Sequence, residues 1–153
     1  MFKKMFFIVV ISMLLIGCGP NDNFQLSKQI IESPDAPAAI GPYSQAVKVG
    51  NTLYCSGQIA IDPKSGELVT ESIEAETRQV LENLGAVLKA AGMDFSDVVR
   101  ATVFMSDMEN YQRINAIYGE YFTENPPARA AVQVANLPRY VNVEISCIAV
   151  KAN

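Results

Sequence analysis

The chain has 153 residues, half of them hydrophobic, which is the length of one domain and enough to bury a core without disulfides or metals. Its 16 acidic and 12 basic residues give a net charge of −4, which disfavours a nucleic-acid-binding surface. There is no histidine, which excludes histidine-based triads, histidine acid/base catalysis and the commonest metal ligand. Proton transfer must therefore use Asp, Glu, Tyr, Cys, Lys or water, and the sequence shows no sign of a metal site.

The N-terminal segment has the features of a bacterial lipoprotein signal. Lys3 and Lys4 precede an apolar run over residues 5–16, shorter than the roughly 20 residues of a transmembrane helix. The run ends in LIGC at residues 15–18, where cleavage before Cys18 leaves a thiol for lipid attachment. The alternative is an uncleaved signal or an N-terminal membrane anchor.

These features predict a signal peptide at residues 1–17, a lipidated N-terminus and polar tether at 18–29, and a folded domain at 30–153. We expect the protein to be exported and anchored, through lipid on Cys18, to a bacterial cell membrane on its periplasmic or outer-membrane side. Removal of the two leader lysines changes the net charge to about −6.

The domain begins with a pattern of two antiparallel strands. Residues 44–49 and 52–60 have strand-like sequences and are joined at Gly50-Asn51, a hairpin-type turn. A second turn, DPKSG, follows at residues 62–66.

The middle of the chain alternates helix and strand. Apolar residues recur at steps of three and four between Ser72 and Gly92, which predicts a helix capped by Ser72 or Thr70 and ended by Gly92. Residues 98–105 form a β-branched and aromatic run, typical of a strand, and the helical pattern returns over residues 110–122.

Two closing strands complete the predicted fold. Pro126 and Pro127 end the second helix, and residues 129–135 and 141–150 have strand patterns on either side of the segment 136–139. The predicted order is ββαβαββ, an α+β fold in which two helices pack on one face of a mixed sheet.

The last strand has apolar residues on both of its faces. Alternation places Val143, Ile145, Cys147 and Ala149 on one face, and Glu144, Ser146, Ile148 and Val150 on the other. Because helices are available for only one face, we expect the second face to contact another subunit in a homo-oligomer.

Two cysteines lie within the predicted domain. Cys55 and Cys147 are each embedded in an apolar strand pattern, so two buried cysteines are the default expectation. Neither has C-x-x-C spacing. Because an exported protein meets an oxidising compartment, a disulfide between them is left open.

Arg129 raises a question of charge, because it follows two prolines and begins an apolar strand. A buried cation needs an anion, either a protein carboxylate or an anionic ligand. Glu144 is the candidate carboxylate, and a buried ion pair is one interpretation. If the closing strands form a tight hairpin about Pro138, however, Gln133 lies opposite Glu144, and Arg129 lies near Ile148, about 13 Å from Glu144. This register leaves room for a ligand or for groups of a neighbouring subunit.

Several separated motifs resemble the RidA (YjgF) family of reactive-intermediate deaminases. These are AAIGPY at 38–43, SGQI at 56–59, NAIY at 115–118, PAR at 127–129 and VEI at 143–145. The resemblance covers nearly all of the chain after the predicted signal. It implies a chorismate-mutase-like fold, a homotrimer with clefts between subunits, and cofactor-independent hydrolysis of enamines and imines such as 2-aminoacrylate to 2-keto acids and ammonia.

The resemblance also implies roles for individual residues. Arg129 matches the arginine that holds the substrate carboxylate, and Glu144 the glutamate that positions or activates the hydrolytic water. Pocket positions are matched by Tyr43, Ser56 and Asn115. Ordinary structural roles remain open for these three: a turn, a strand end and a helix contact. Many members have Ser-Cys after the arginine, whereas this chain has Ala130-Ala131, so that only main-chain groups of Ala131 remain for substrate binding.

The leading hypothesis is a hydrolase of small 2-imino or 2-enamino acids. One alternative is a binding module that holds a 2-keto acid or similar carboxylate in the same inter-subunit cleft without turnover. Another is an RNA-acting protein, which the negative charge and the predicted export disfavour.

Overall fold

A mixed sheet of six strands and two helices forms the domain. The computed structural model describes residues 27–152. The strands are β1 Lys28–Ile31, β2 Ala46–Val49, β3 Thr52–Gln58, β4 Val98–Met105, β5 Ala128–Gln133 and β6 Val143–Val150, and the helices are α1 Ile73–Ala90 and α2 Tyr111–Tyr121. The predicted α+β class, with two helices and a mixed sheet, is confirmed, as is the ββαβαββ order from β2 onward.

The first strand differs from the sequence-based expectation. β1 pairs antiparallel with β2, and it begins inside the segment 18–29 that was assigned to the tether. Three of its four residues are exposed, so its main-chain pairing leaves little apolar pattern to recognise. The predicted signal peptide, Cys18 and most of the tether lie outside the described residues. Within residues 27–152, no helix has both the length and the apolar composition to cross a membrane.

α1 begins and ends at residues whose chemistry suits those positions. The Oγ of Ser72 accepts a hydrogen bond from the backbone N–H of Ala75 at 3.1 Å, so Ser72, and not Thr70, is the N-cap. Gly92 follows the helix with a φ of +73°, a conformation that favours glycine. Five apolar side chains of α1 have no exposed surface and each stabilises the fold by about 1.5–3 kcal/mol: Val80, Leu81, Leu84, Val87 and Leu88.

The two helices run parallel to each other on the same face of the sheet. Glu74 on α1 pairs with Arg113 on α2, and Arg78 pairs with Glu120, so the residue numbers rise together along both helices. This direction follows from the topology, because α1 connects β3 to β4 and α2 connects β4 to its parallel neighbour β5. The ion pairs are exposed and screened by solvent, so burial of apolar surface is what holds the helices in place.

The last strand, β6, lies between β3 and β4 in the sheet order β1-β2-β3-β6-β4-β5. The expected hairpin between the two closing strands is therefore wrong. β5 pairs parallel with β4 at the sheet edge, and the segment 134–142 crosses the end of β4 to reach the centre. Leu137 and Val141 are buried in a small apolar cluster that holds this connection against the domain. As a result, Glu144 lies on a central strand and Arg129 on an edge strand.

A buried carboxylate on α1 fixes the start of β6. Glu76 has 0% exposure, and one of its oxygens accepts hydrogen bonds from the backbone N–H groups of Asn142 at 2.5 Å and Val143 at 3.2 Å. Its other oxygen accepts from Nδ2 of Asn142 at 2.9 Å. These charge-assisted bonds compensate for the burial of the carboxylate. Because Glu144 comes directly after Val143, α1 sets the position of the strand segment that carries it.

Candidate active site

The two faces of the sheet separate the predicted site residues into two groups. On β6, Val143 and Ile145 are buried against the helices, so Glu144 points to the opposite face. Arg129 is the register partner of the buried Ala101 on β4 and therefore lies on the helix-covered face. Arg129 and Glu144 do not meet within one subunit.

Glu144 lies in a cavity of about 390 Å³ at the open face of the sheet. We call this site the Glu144 cleft and define it by Tyr43, Ser56, Gly57 and Glu144, all of which line it, together with Ile40, Ile59 and Pro138. The structure thus brings together three residues that the sequence singled out, Tyr43, Ser56 and Glu144, although they come from three distant parts of the chain.

Gly57 makes room for the Glu144 carboxylate. β3 has a register shift against β6 between Cys55 and Gln58, typical of a β-bulge, and Gly57 lies inside it. A Cβ added at Gly57 would overlap Oε1 of Glu144 and would lie 2.6 Å from its Cδ. Gly57 was not among the predicted site residues, although a glycine inside a strand pattern is a recognised sign of close approach by another group.

The environment of Glu144 favours its neutral form. The side chain is half-buried, and this burial raises its pKa above the ordinary value of 4.5. A carboxylate whose pKa is raised toward neutrality is a better proton acceptor than an exposed one. Burial therefore makes the Glu144 carboxylate a stronger proton acceptor than an exposed glutamate.

Tyr43 and Ser56 have local structural bonds and also face the cleft. The Oη of Tyr43 accepts a hydrogen bond from the backbone N–H of Ile40 at 3.2 Å, and Ser56 Oγ donates to the carbonyl of Ser44 at 2.7 Å. In these bonds the phenol keeps its proton for donation, and the Ser56 oxygen keeps a lone pair for acceptance. Tyr43 and Ser56 therefore do make the local structural contacts that were left open as alternatives. These contacts still leave both hydroxyl groups able to bind a ligand.

The second group surrounds Arg129 at the edge of the sheet. Its guanidinium carbon lies 4.6 Å from the ring centroid of Tyr118 and 5.9 Å from that of Tyr111, within the range of cation–π attraction. Arg129 Nη2 also donates to the Oη of Tyr111 at 3.3 Å. We call this group the Arg129 edge cluster and define it by Tyr111, Asn115, Tyr118 and Arg129.

Tyr111 links the other polar members of the Arg129 edge cluster. The hydrogen bond with the side chain of Asn115, and then the positive charge of Arg129, lower the pKa of Tyr111. Asn115 and Arg129 thus both contact Tyr111. Neither Tyr111 nor Tyr118 was among the predicted site residues, although Tyr118 belongs to the NAIY motif. Residues 111, 115 and 118 are spaced by four and three, which was the available sign that all three share one helix face.

The interpretation of Arg129 and Glu144 as a buried ion pair is wrong for a single subunit. Arg129 is exposed, and the ion pairs within residues 27–152 involve other residues, such as Lys151 with Asp97. The hairpin register that first suggested their separation is also wrong, and their separation has a different cause: the two side chains leave the sheet on opposite faces.

Ala131 is positioned by packing. It is the register partner of Val103 on β4, and its methyl group packs against the main core on the helix-covered face. Its side chain has no polar group to offer a ligand. Among the described residues, no three His, Cys, Asp or Glu side chains cluster as metal ligands would.

Comparison with known proteins places this fold in a family. Residues 33–151 match the family model described as Endoribonuclease L-PSP. A 2-iminobutanoate/2-iminopropanoate deaminase of Mus musculus is 53% identical over 124 residues, which cover 81% of this chain and 92% of the mouse protein.

Two solved structures have the same architecture. A Yersinia pestis protein of the conserved Rid family is 46% identical, with a TM-score of 0.78 over 82% of this chain and 100% of that chain. The TdcF protein of E. coli, solved with bound serine, is 40% identical, with a TM-score of 0.78 over 81% of this chain and 99% of that chain.

The fold and the cleft define a small α+β protein in which helices cover one face of a mixed sheet and the other face carries a cleft around Glu144. The match over most of the chain adds the family: the chain belongs to the RidA/YjgF family. The resemblance found in the sequence motifs is therefore confirmed, together with the fold that it implied.

Proposed function

We propose that this protein hydrolyses small 2-imino and 2-enamino acids, such as 2-aminoacrylate, to 2-keto acids and ammonia. The observation that carries the proposal is a carboxylate of raised pKa in a cleft of suitable size, Glu144, in a chain whose relatives include named imine deaminases. Each active site then combines the Glu144 cleft of one subunit with the Arg129 edge cluster of its neighbour.

Arg129 provides the binding group for the acid. Its planar guanidinium can grip a carboxylate through two parallel hydrogen bonds, which fixes the orientation of the adjacent C2 atom. The aromatic rings of Tyr111 and Tyr118 hold the guanidinium at the sheet edge, which limits the loss of side-chain freedom on binding.

Glu144 provides the proton-transfer group. It accepts a proton from a water molecule as the water oxygen bonds to C2 of the imine, and the imine nitrogen takes up a proton to give a 2-amino-2-hydroxy acid. The proton held by Glu144 then passes to the amino group, the C2–N bond breaks and ammonia leaves. The hydroxyl group gives up its proton to solvent to form the carbonyl of the 2-keto acid, which replaces the proton that the imine nitrogen took from solvent. A 2-enamino acid enters the same sequence after protonation at C3.

A closed homo-oligomer, and specifically a trimer, is part of the proposal. The open face of the sheet carries exposed apolar side chains such as Tyr54 and Val132, which are 50% and 42% exposed in the single subunit. A contact between this face and the edge of a neighbour is heterologous, and a rotation of a third of a turn per subunit closes it into a trimeric ring. Light scattering of the purified protein tests the trimer, and a monomer at micromolar concentration would contradict both the trimer and the shared site.

A subunit-mixing experiment tests the shared site directly. Arg129→Ala and Glu144→Gln proteins are each expected to be inactive. When equal amounts are refolded together, about one subunit interface in four should combine the intact Glu144 of one variant with the intact Arg129 of the other. The mixture should therefore recover about a quarter of the parental sites. The readout is keto-acid release from freshly generated 2-aminoacrylate. If the mixture is as inactive as its components while trimers still form, the site does not combine residues of two subunits.

The non-catalytic alternative makes a different prediction for the parental protein. A binding module would bind a 2-keto acid but would leave the rate of keto-acid release at the level of the buffer. An RNA-acting role remains disfavoured by the net charge of −4, and a low-salt binding assay with RNA tests it, since any phosphate-dominated binding is strongest there.

Export and lipid anchoring remain part of the proposal. The basic leader, the apolar run and the LIGC sequence ending at Cys18 support cleavage before Cys18 and its acylation. Mass spectrometry of protein from the membrane fraction should find an acylated N-terminal cysteine. A soluble product that begins at another residue would contradict lipidation without affecting the proposed chemistry.

A further inference from the structure

Two cysteines face each other across the centre of the sheet. Cys55 on β3 is the register partner of Cys147 on β6, in an antiparallel pair. Both side chains are on the face that the helices cover, and they are 7% and 4% exposed. Directly opposed residues of antiparallel strands have Cα atoms about 4.5–5.5 Å apart, which is inside the range that a disulfide spans.

The surroundings of the pair make both thiols slow to react once the protein has folded. Within residues 27–152 these are the only two cysteines, and both are free thiols in this structure. The hydrogen bond with the Cys55 side chain, and then burial, raise the pKa of Cys147. Since the thiolate is the reactive form, this environment makes the folded, reduced pair slow to react with an external oxidant.

We propose that Cys55 and Cys147 form an intramolecular disulfide, made during folding by exchange with the disulfide of a thiol oxidoreductase or small-molecule disulfide. One thiolate attacks that disulfide to give a mixed disulfide and release one thiol of the oxidant. The second thiolate then displaces the remaining thiol, so the protein loses two protons and two electrons and the oxidant is reduced to two thiols. This inference does not depend on the proposed catalytic function.

The disulfide is expected to stabilise the domain by restricting the unfolded chain. It joins the first half of the sheet to the last strand and closes a long loop that includes α1, β4, α2 and β5. A disulfide that closes a longer loop removes more conformational entropy from the unfolded chain and so stabilises the fold more. Strain in the native state reduces this stabilisation. The expected effect is an increase of about 10 °C in melting temperature for the oxidised over the reduced protein.

The test uses the full chain, produced in a bacterial host with its N-terminal segment and solubilised in detergent. One sample is alkylated under denaturing conditions as isolated, and a second after unfolding and refolding in a buffer of reduced and oxidised glutathione. Peptide mapping without reduction should find the Cys55 peptide joined to the Cys147 peptide in the refolded sample. Mapping also distinguishes this bond from any involving Cys18.

Two variants provide the control. Cys147→Ala and Cys55→Ala should each melt at a temperature that does not respond to reductant, whereas the parental protein should lose about 10 °C when reduced. The proposal is overturned if both thiols are alkylated in the refolded sample, if either cysteine is joined to another partner, or if reduction leaves the parental melting temperature unchanged.

Discussion

Arg129 and Glu144 leave the same sheet in opposite directions, from strands that are separated only by β4. Arg129 lies over the aromatic rings of α2, and Glu144 lies in a cleft on the uncovered face. In the proposed trimer, each subunit would present Arg129 to one neighbour and Glu144 to another. In a closed ring, both halves of every site are supplied without either residue having to cross the sheet.

Replacement of Arg129 should reduce activity without unfolding the protein. Arg129→Lys keeps the charge but loses the two-pronged geometry, and Arg129→Ala loses both, so we expect kcat/KM to fall by about 10- to 100-fold for lysine and further for alanine. Because Arg129 is exposed and its cation–π contacts contribute about 0.5–1 kcal/mol, the melting temperature should change little. Arg113→Ala, at another exposed arginine, should keep parental activity.

Gly57→Ala should disable the Glu144 cleft. The added methyl group takes the place of the Glu144 carboxylate, which must move out of position, so activity should fall by about 100-fold or more. The matched control is Gly119→Ala on α2, where a Cβ meets nothing within 4 Å and should stabilise the helix by about 0.5–1 kcal/mol. Equal activity of the two alanine variants in the keto-acid assay would argue against a role for Glu144.

Because Glu144 titrates with a raised pKa, both the activity and the stability of the protein should depend on pH. Burial raises its folded-state pKa above 4.5, so the favourable contribution of the protonated form to stability is fully present below pH 4.5 and is lost as pH rises through the folded pKa. Glu144→Gln should therefore melt above the parental protein at pH 7, and the difference should shrink below pH 4.5. Parental activity should fall as pH decreases through the raised pKa, while Glu144→Gln should be at least about 100-fold less active at pH 7.

Replacement of Glu76 should lower the stability of the fold, because Glu76 holds the start of β6 next to Glu144. Glu76→Gln places an amide group among hydrogen-bond donors, and at least one bond to Asn142 or Val143 is lost, so we expect a reduction of about 1–3 kcal/mol in the free energy of unfolding. Urea denaturation measures this change. Glu82→Gln, at an exposed position of the same helix, should change the free energy by less than about 0.5 kcal/mol.

The two tyrosines beside Arg129 should differ when each is replaced by phenylalanine. Tyr111→Phe loses the bonds to Arg129 and Asn115, so we expect KM to rise several-fold with a smaller change in kcat. The hydroxyl of Tyr118 is buried without a hydrogen-bond partner among the described residues, and burial raises its pKa to about 12. Tyr118→Phe should therefore leave KM unchanged and stabilise the fold by about 1 kcal/mol. A larger rise in KM for Tyr118→Phe than for Tyr111→Phe would contradict this division of roles.

Local features of the sequence predicted most of the elements and several members of the site. The period of apolar residues and the capping chemistry of Ser72 and Gly92 identified α1, because helix formation depends on neighbours a few residues apart. β1 was not predicted, because an exposed edge strand is held by main-chain hydrogen bonds and has little pattern of apolar side chains. Gly57 was overlooked for a related reason: its importance lies in an absent side chain, visible only once Glu144 is placed beside it.

The amino-acid sequence by itself determined the α+β class, the alternation of faces along β6 and the motifs that resemble the family. Only the tertiary structure decided that β6 inserts between β3 and β4, because strand pairing joins residues far apart in the chain and no local pattern specifies the partner. That insertion places Glu144 on a central strand, and the parallel pairing of β5 with β4 places Arg129 on the helix-covered face. Since side chains alternate between faces at every residue of a strand, register and strand order together set the two residues on opposite faces.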